Sequence, residues 1–265
     1  MASNLVSITR RSAGQTMRKD FWWVTPLVTF IGLGSFVVYS TWAAFQGEHY
    51  RYGGYLSPFY SPEILGSATA YFGAKPTWLP SWLPFSAALL ILWAPGGFRL
   101  TCYYYRGAYY KAMWADPPTC AVGEPRHTYR GENSFPLILQ NIHRYFLFIA
   151  LIFLLFLVHD AYLAMWFTDA AGITKFGIGV GTIILTANVF FLGGYTFSCH
   201  SLRHLIGGKC DTLSKKPLQK KAYDCVSCLN RRHMLFAWLS LFVVGFSDLY
   251  VRLCSMEIWT DFRLL

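Results

Sequence analysis

Charge is what this sequence has least of. Only 14% of its residues are Asp, Glu, Lys or Arg, against ~25% in ordinary soluble domains, while 54% are hydrophobic and 18% aromatic. A water-soluble globule needs charged helix faces and amphipathic periods, and this chain is too poor in charge to make them. Internal repeats and low-complexity tracts are absent, which speaks against a transporter assembled from inverted halves. Seven cysteines are an odd number, so they cannot all close as internal disulfides.

What is present is length without charge. Five apolar segments, about residues 21–45, 80–105, 137–166, 176–204 and 233–256, each reach the ~20 residues that cross a hydrocarbon core. The expected fold is all-α: one polytopic membrane domain over residues 1–265, with five transmembrane helices in an antiparallel bundle. The second span carries Pro95, Gly96 and Gly97, where a kink is expected because proline removes a helix hydrogen bond and the glycines loosen the backbone. Arg10, Arg11, Arg18 and Lys19 precede the first span as in a signal peptide. That span is too long for a signal h-region and has no clear small-residue cleavage site, so it reads as a retained helix.

Basic residues orient the bundle. Of 23 Lys and Arg, 18 fall in three segments: four before the first span, six from Arg99 to Arg144 and eight from Arg203 to Arg232. The positive-inside rule then makes the N-terminus and the second and fourth connections cytoplasmic, and the C-terminus external. The net charge of +10 needs no nucleic acid; a basic face against anionic lipid headgroups accounts for it, with docking of a soluble partner as the remainder. The loop at about 46–79, with HYRYGGYLSPFYSPEILG, reads as an aromatic anchor at headgroup level. The inner loop at about 106–134 is too turn-rich for a continuous helix and suits a partner or a site.

The ligand-type residues are one-sided. Cys102 ends the second span, Cys120 lies in the inner loop, Cys199 ends the fourth span, and Cys210, Cys225 and Cys228 follow it. A reducing cytosol disfavours disulfides there, leaving ligation or inert burial. His143 opens the third span, His200 and His204 close the fourth, His233 opens the fifth and His127 is in the inner loop. His200 and His204 are spaced i, i+4 and share a helix face, with Cys199 turned toward a different neighbour. A single membrane histidine is often only a packing residue, but several at one depth mark a functional site. A haem b fits two imidazoles drawn from His143, His200, His204 and His233; a Rieske-type 2Fe-2S cluster fits two imidazoles and two thiolates, drawing on Cys102, Cys120 and Cys199. Zinc between His200, His204, Cys225 and Cys228 is a third option, weakly signalled by C-x-x-C alone.

FRLTCYYYRGAYYKAMW, PPTCAVGEPRHTYRGENSFPLILQNIHRYF, CHSLRHLIGG and RRHMLFAWLSLF followed by DLYVRL resemble the membrane-anchor subunit of actinobacterial succinate dehydrogenase, over residues 80–254. The resemblance implies a subunit of succinate:quinone oxidoreductase, respiratory complex II, in the bacterial plasma membrane. Its implied partners are a flavoprotein that oxidises succinate and an iron–sulfur subunit, and its substrate is membrane quinone. Better-known single-subunit anchors carry two stacked haems on four histidines at two depths. This chain has no histidine within its first two spans, and toward the outer side the only histidine within a span is His159, beside Asp160. One haem or one cluster remains, and the cysteines, idle around a haem, favour the cluster. Tyr103, Tyr105, Arg106, Trp114, Tyr129 and Arg130 are the quinone-binding candidates, as hydrogen-bond donors and apolar surface at the inner end of the second span and its loop; the competing role for such aromatics is the interfacial belt. A transporter and a cofactor-free structural anchor are the alternatives in other functional classes.

Overall fold

A computed structural model of the chain describes residues 20–68, 70–74, 86–113, 135, 137–168, 171–208 and 212–265. It has two compact units, one of Phe36–Arg99 with Ile142–Leu265, the other of the described parts of Met1–Ser35 and Leu100–Asn141. Helices dominate: α1 (Val24–Gln46), α2 (Ala87–Ile91), α3 (Trp93–Leu100), α4 (Tyr103–Met113), α5 (His143–Leu163), α6 (Val180–Phe197), α7 (His200–Gly207), α8 (Pro217–Asn230) and α9 (His233–Ser255).

Four stretches are helical, long and apolar enough to cross a membrane: Val24–Gln46, Ile138–Leu163, Val180–Phe197 and His233–Ser255, with mean hydropathy from 1.5 to 2.4. Their outward residues are apolar; Val38, Leu155 and Phe190 are all at least 66% exposed. Water would penalise that surface, and lipid tails accept it.

The second apolar stretch departs from the expected single helix. It is delivered as α2, α3 and α4, broken at Leu92 and again at Thr101–Cys102. The first break precedes the expected kink by almost a turn, and proline is the reason. Pro95 has no N–H for the carbonyl of Ile91, so the helix stops and restarts, leaving Pro95 in the first turn of α3, where no such bond is required. At the second break the Tyr109 hydroxyl donates to the Leu100 carbonyl at 2.8 Å. The fourth stretch is also shorter than expected: α6 ends at Phe197, and His200 and His204 sit on the separate helix α7.

The core lies between α6 and α9. α9 buries Ala237, Ser240, Leu241, Val244, Ser247 and Val251, a helical stripe of mostly small side chains that lets backbones approach without a hydrophobic drive between helices. Gly194 of α6 is needed for this approach, because a Cβ there would enter the Phe236 ring. Gly97 of α3 meets Phe146 of α5 in the same way, whereas a Cβ on the adjacent Gly96 would touch nothing.

At the end of the bundle remote from His143, the described chain that follows α1 packs inward at residues 55–63. Strands β1 (Arg51–Tyr52) and β2 (Tyr55–Leu56) form an antiparallel hairpin, and Pro58–Tyr60 make a buried 3₁₀ turn. The Tyr60 hydroxyl donates to the Ala43 carbonyl at 2.8 Å and accepts from the Gly47 N–H at 3.0 Å, so it caps the C-terminus of α1. This segment is a folded plug rather than the interfacial anchor that its composition suggests, because its tyrosines and serines find bonding partners inside. Asp248 of α9 accepts from Tyr39 at 2.6 Å, from Ser57 and from Arg252. Asp261 accepts from Tyr55 and Tyr250, both at 2.7 Å, and from the Gly181 N–H at 3.0 Å. Asp160 accepts from Ser61 while His159 stays exposed beside it, so the acid ties α5 to the plug. A second hairpin, β3 (Trp166–Thr168) with β4 (Thr174–Phe176), joins α5 to α6.

Candidate functional site

The opposite, histidine end gathers side chains from α3, α5, α6, α9 and the break before α7. Ser198 and Cys199 leave the helical path after α6, and Cys199 starts α7 from an extended backbone. That turn buries the Cys199 side chain and brings its Sγ to 3.1 Å from Nε2 of His143, the first residue of α5. A continuous fourth helix would have turned this thiol elsewhere. The His143 ring is itself buried and lies flat on Phe98 of α3, with centroids 4.6 Å apart and planes within 5°.

His233 occupies the first position of α9, stacked on Tyr195 with centroids 5.1 Å apart. Its Nδ1 is 2.7 Å from the Ser198 hydroxyl oxygen. The same hydroxyl oxygen lies 3.1 Å from the Tyr195 carbonyl. The Ser198 contact occupies Nδ1 of His233, and one ring nitrogen held by a neighbour is the arrangement usual behind a ligating imidazole. Asn230 donates to the Ser198 carbonyl at 2.7 Å and steadies the same turn. His233 lies within electrostatic reach of both His143 and His200.

Arg99, the last α3 residue of this unit, donates to the Ser240 hydroxyl at 3.0 Å and the Ala237 carbonyl at 3.4 Å. Its guanidinium also lies 4.8 Å from the centre of the Tyr195 ring, within cation–π range. Beside these residues is a cavity of about 160 Å³, walled by Gly96, Phe98, Arg99, Ala150, Leu154 and Tyr195, among other mostly apolar side chains.

The remaining sequence candidates are placed as follows. His200 and His204 are exposed on α7 with their Nε2 atoms 3.0 Å apart, so the shared helix face is real. Partial burial first, then the positive charge of His204 and Arg203, holds His200 below the ordinary imidazole range. Cys225 and Cys228 are exposed on α8. In the other unit Cys102 and Tyr105 are buried, Tyr103 is exposed, and the Arg106 guanidinium lies 4.6 Å over the Tyr103 ring. Cys120, Trp114, Tyr129, Arg130, His127 and Cys210 lie outside the described residues. Among the described residues no three His, Cys, Asp or Glu side chains converge as metal ligands, and the zinc quartet His200, His204, Cys225 and Cys228 is within that statement.

The donor chemistry can still be matched to each cofactor. A Rieske-type cluster asks for two thiolates on one iron and two imidazoles on the other; of these donor types this end of the bundle brings together the Cys199 thiol and the imidazoles of His143 and His233. The second thiolate falls, on sequence grounds, to Cys102 or Cys120. A bis-imidazole haem asks for two imidazole nitrogens aimed at one iron from opposite sides and uses no thiol; His143 and His233 are stacked by their faces on Phe98 and Tyr195, which leaves the ring edges that would ligate, and His200 and His204 meet each other directly. Sequence reasoning missed Phe98, Arg99, Tyr195 and Ser198, whose only signal was their proximity in the chain to the Cys and His positions.

Apolar helices around a buried imidazole–thiol pair define a polytopic helical membrane protein with ligand-type residues gathered at one end. The family model for actinobacterial succinate dehydrogenase subunit SdhC matches residues 24–257, and the chain belongs to that family of membrane-anchor subunits. It is also similar to a chain of the Mycobacterium smegmatis Sdh1 complex in the apo form, with 42% identity over 97% of this chain and 96% of that one, and a TM-score of 0.83. A comparison with curated proteins gives no match. The resemblance in the Cys- and His-bearing motifs is thus part of a likeness that runs nearly the whole length.

Proposed function

We propose that this anchor subunit carries electrons from an iron–sulfur partner at the cytoplasmic face to membrane quinone, by way of a Rieske-type 2Fe-2S cluster. In this reading the bundle has five spans, α2 and α3 supplying the broken one, with the N-terminus and the histidine end cytoplasmic in the bacterial plasma membrane. A flavoprotein partner oxidises succinate to fumarate, releasing two electrons and two protons; quinone takes up two of each to become quinol. The observation that carries the reading is the His143–Cys199 pair, an imidazole and a thiol buried in contact at the basic end of a membrane bundle. Such a pair is costly in lipid unless it has a use.

When bound, the cluster supplies single-electron storage between the partner and quinone. The chain's part is positioning. His143 and Cys199 are ligands in this proposal, with His233 and one of Cys102 and Cys120 completing the set; His200 and His204 are the competing imidazoles. Phe98 and Tyr195 orient the His143 and His233 rings and exclude water from one side, while Ser198 meets Nδ1 of His233. The basic residues of α7 and α8, including Lys220 and Arg203, suit an acidic or mixed-charge surface on the iron–sulfur partner and anionic headgroups around it.

The test uses the whole purified complex. His143→Ala should abolish quinone reduction, leave succinate oxidation by a soluble dye intact, and remove a paramagnetic signal of low average g that a His-ligated cluster gives. Survival of both activities in this variant sinks the reading. Sharp haem b bands in a dithionite-reduced optical spectrum would instead make the histidines axial ligands and return the cysteines to packing.

A further inference from the structure

Between the end of α6 and the start of α9 the chain makes two short helices, and the second of them, α8, is too short and too charged to span a membrane. Its 14 residues extend about 21 Å, against the ~20 residues that a crossing needs. One side of α8 is fixed to the end of the bundle. Arg203 of α7 donates from Nε to the Ser227 hydroxyl at 3.0 Å, and its guanidinium lies 4.9 Å from the centre of the Tyr223 ring. Gln219 donates to the Ile206 carbonyl, Val226 is buried, and Asn230 donates to the Ser198 carbonyl at 2.7 Å.

A second side is apolar and faces outward. Leu218, Ala222, Cys225 and Leu229 follow one another at i, i+4, i+7 and i+11, the repeat of a helical stripe, and the first three are exposed, Leu218 to 82%. The charged side lies across the helix from this stripe, where Lys220 pairs with Asp224 at 2.7 Å. Exposed basic pairs bracket the helix: Lys215 and Lys216 stand before its first turn and Arg231 and Arg232 after its last, with Lys221 beside the stripe. Phe197, where α6 ends, and Met234 and Leu235, where α9 begins, are exposed and apolar as well. The stripe therefore belongs to a connection whose two ends are lipid-facing helix termini.

We infer that α8 lies in the plane of the membrane at its cytoplasmic surface, with the stripe among acyl chains and the flanking basic residues on the phosphates of anionic phospholipids. An apolar stripe edged by Lys and Arg is what seats a helix at the boundary of headgroups and acyl chains. Each cation near an anionic surface strengthens the attachment about fivefold. Charge selects anionic over neutral headgroups: from Arg203 to Arg232 there are eight Lys and Arg against two acids, Asp211 and Asp224. The Lys220–Asp224 side is left in water for the iron–sulfur partner. The inference uses the orientation in the reading above but not its cofactor, so the two stand or fall separately. Through Asn230, the seating of α8 also bears on the Ser198 turn that precedes Cys199.

Two native thiols test this. Both are exposed, Cys225 within the stripe and Cys228 turned about 60° from it toward the charged side. The intact complex in phosphatidylglycerol vesicles is labelled with a nitroxide at Cys225 in a Cys228→Ser variant and at Cys228 in a Cys225→Ser variant, the doubly substituted complex giving the background. Power saturation then reads the collision of each label with oxygen, which enters lipid, and with a water-soluble nickel chelate. The Cys225 label should be open to oxygen and meet the chelate several-fold less than the Cys228 label. Equal chelate access at the two positions puts the stripe in water and overturns the inference. A Cys225 label closed to both reagents means that protein, such as the iron–sulfur partner, covers the stripe, and overturns it too. In phosphatidylcholine vesicles, or with Lys215→Gln, Lys216→Gln and Lys221→Gln combined, chelate access at Cys225 should rise about fivefold or more. Protection that is the same in both lipids overturns the assignment to anionic headgroups. Dye-linked succinate oxidation checks assembly of every variant, and the comparison of the two lipids needs no change at the lysines.

Discussion

Asp248→Ala should be among the most damaging single changes outside the histidine end. Asp248 and Arg252 are 0% and 1% exposed and lie one turn apart on α9, with nitrogen–oxygen distances of 3.4 Å. Removing one partner of a buried pair leaves the other charge uncompensated, at a cost of about 3–5 kcal/mol. Two features of the site adjust that range in opposite directions. Arg252 retains the Glu48 carbonyl at 2.9 Å, the Ala43 carbonyl at 3.4 Å and the Trp42 ring at 5.2 Å, which lowers the cost. Tyr39 and Ser57 lose their acceptor at the same time, and each buried hydroxyl left unsatisfied costs about 1–3 kcal/mol. The lower end of the pair range alone, about 3 kcal/mol, corresponds to about 6–12 °C in Tm for a chain of this size. The assay is thermal unfolding of the detergent-solubilised complex, followed by loss of the anchor from the assembled particle. Replacing both partners with apolar residues, Asp248→Leu with Arg252→Met, removes the orphaned charge and should recover more than half of the loss. A single variant that melts within about 2 °C of wild type, less than one kcal/mol on this scale, refutes the claim that the pair is buried and mutually dependent.

Other expectations follow from the same contacts. Gly194→Ala should destabilise by about 1–3 kcal/mol through overpacking against Phe236, while Gly96→Ala should leave stability unchanged; equal melting temperatures for the two would contradict the packing described. Tyr60→Phe loses the hydroxyl that serves Ala43 and Gly47 and should cost about 1–3 kcal/mol, read by the same melting assay. Glu63 is buried, which alone would raise its pKa, but hydrogen bonds from Ser67, Arg51 and Tyr50 and the Arg51 charge outweigh this and lower it. The folded carboxyl titrates below the unfolded one, so its stabilisation is complete above the unfolded value of about 4.3 and is lost as pH falls through the lower folded value. Glu63→Gln should flatten the part of the acid-melting curve near and below pH ~4, and an unaltered curve would count against the pairing. Ser198→Ala should remove the contact at Nδ1 of His233; a shift in the pH profile of quinone reduction, with dye-linked succinate oxidation constant, is the expected signature of its positioning role.

Much of the helical layout was legible because lipid imposes a blunt rule. A span must be long and uncharged, and the first, third, fourth and fifth apolar stretches all contain such a helix, though in the fourth it stops at Phe197, short of the expected end at 204. The second stretch satisfied the same rule and still came out in pieces. Hydropathy counts side chains, whereas Pro95 acts on the backbone hydrogen bond of a residue four positions earlier. The plug was misread for a related reason: its composition matches an interfacial belt, and only the bonding partners, Asp248 for Ser57 and Ala43 for Tyr60, distinguish a folded insert from a surface anchor. Those partners lie up to 191 positions away in the chain.

The sequence alone determined the membrane class, the family-bearing motifs and the gathering of His and Cys toward one end, because hydropathy, charge and spacing are properties of local stretches. Which imidazole meets which thiol was decided only by the fold. The break after Phe197 turns Cys199 toward His143, Ser198 meets Nδ1 of His233, and Phe98, Arg99 and Tyr195 together wall a cavity that none of them signals singly. Each of these depends on where one helix ends and another begins in space, and such geometry is set by packing between segments that are distant in sequence.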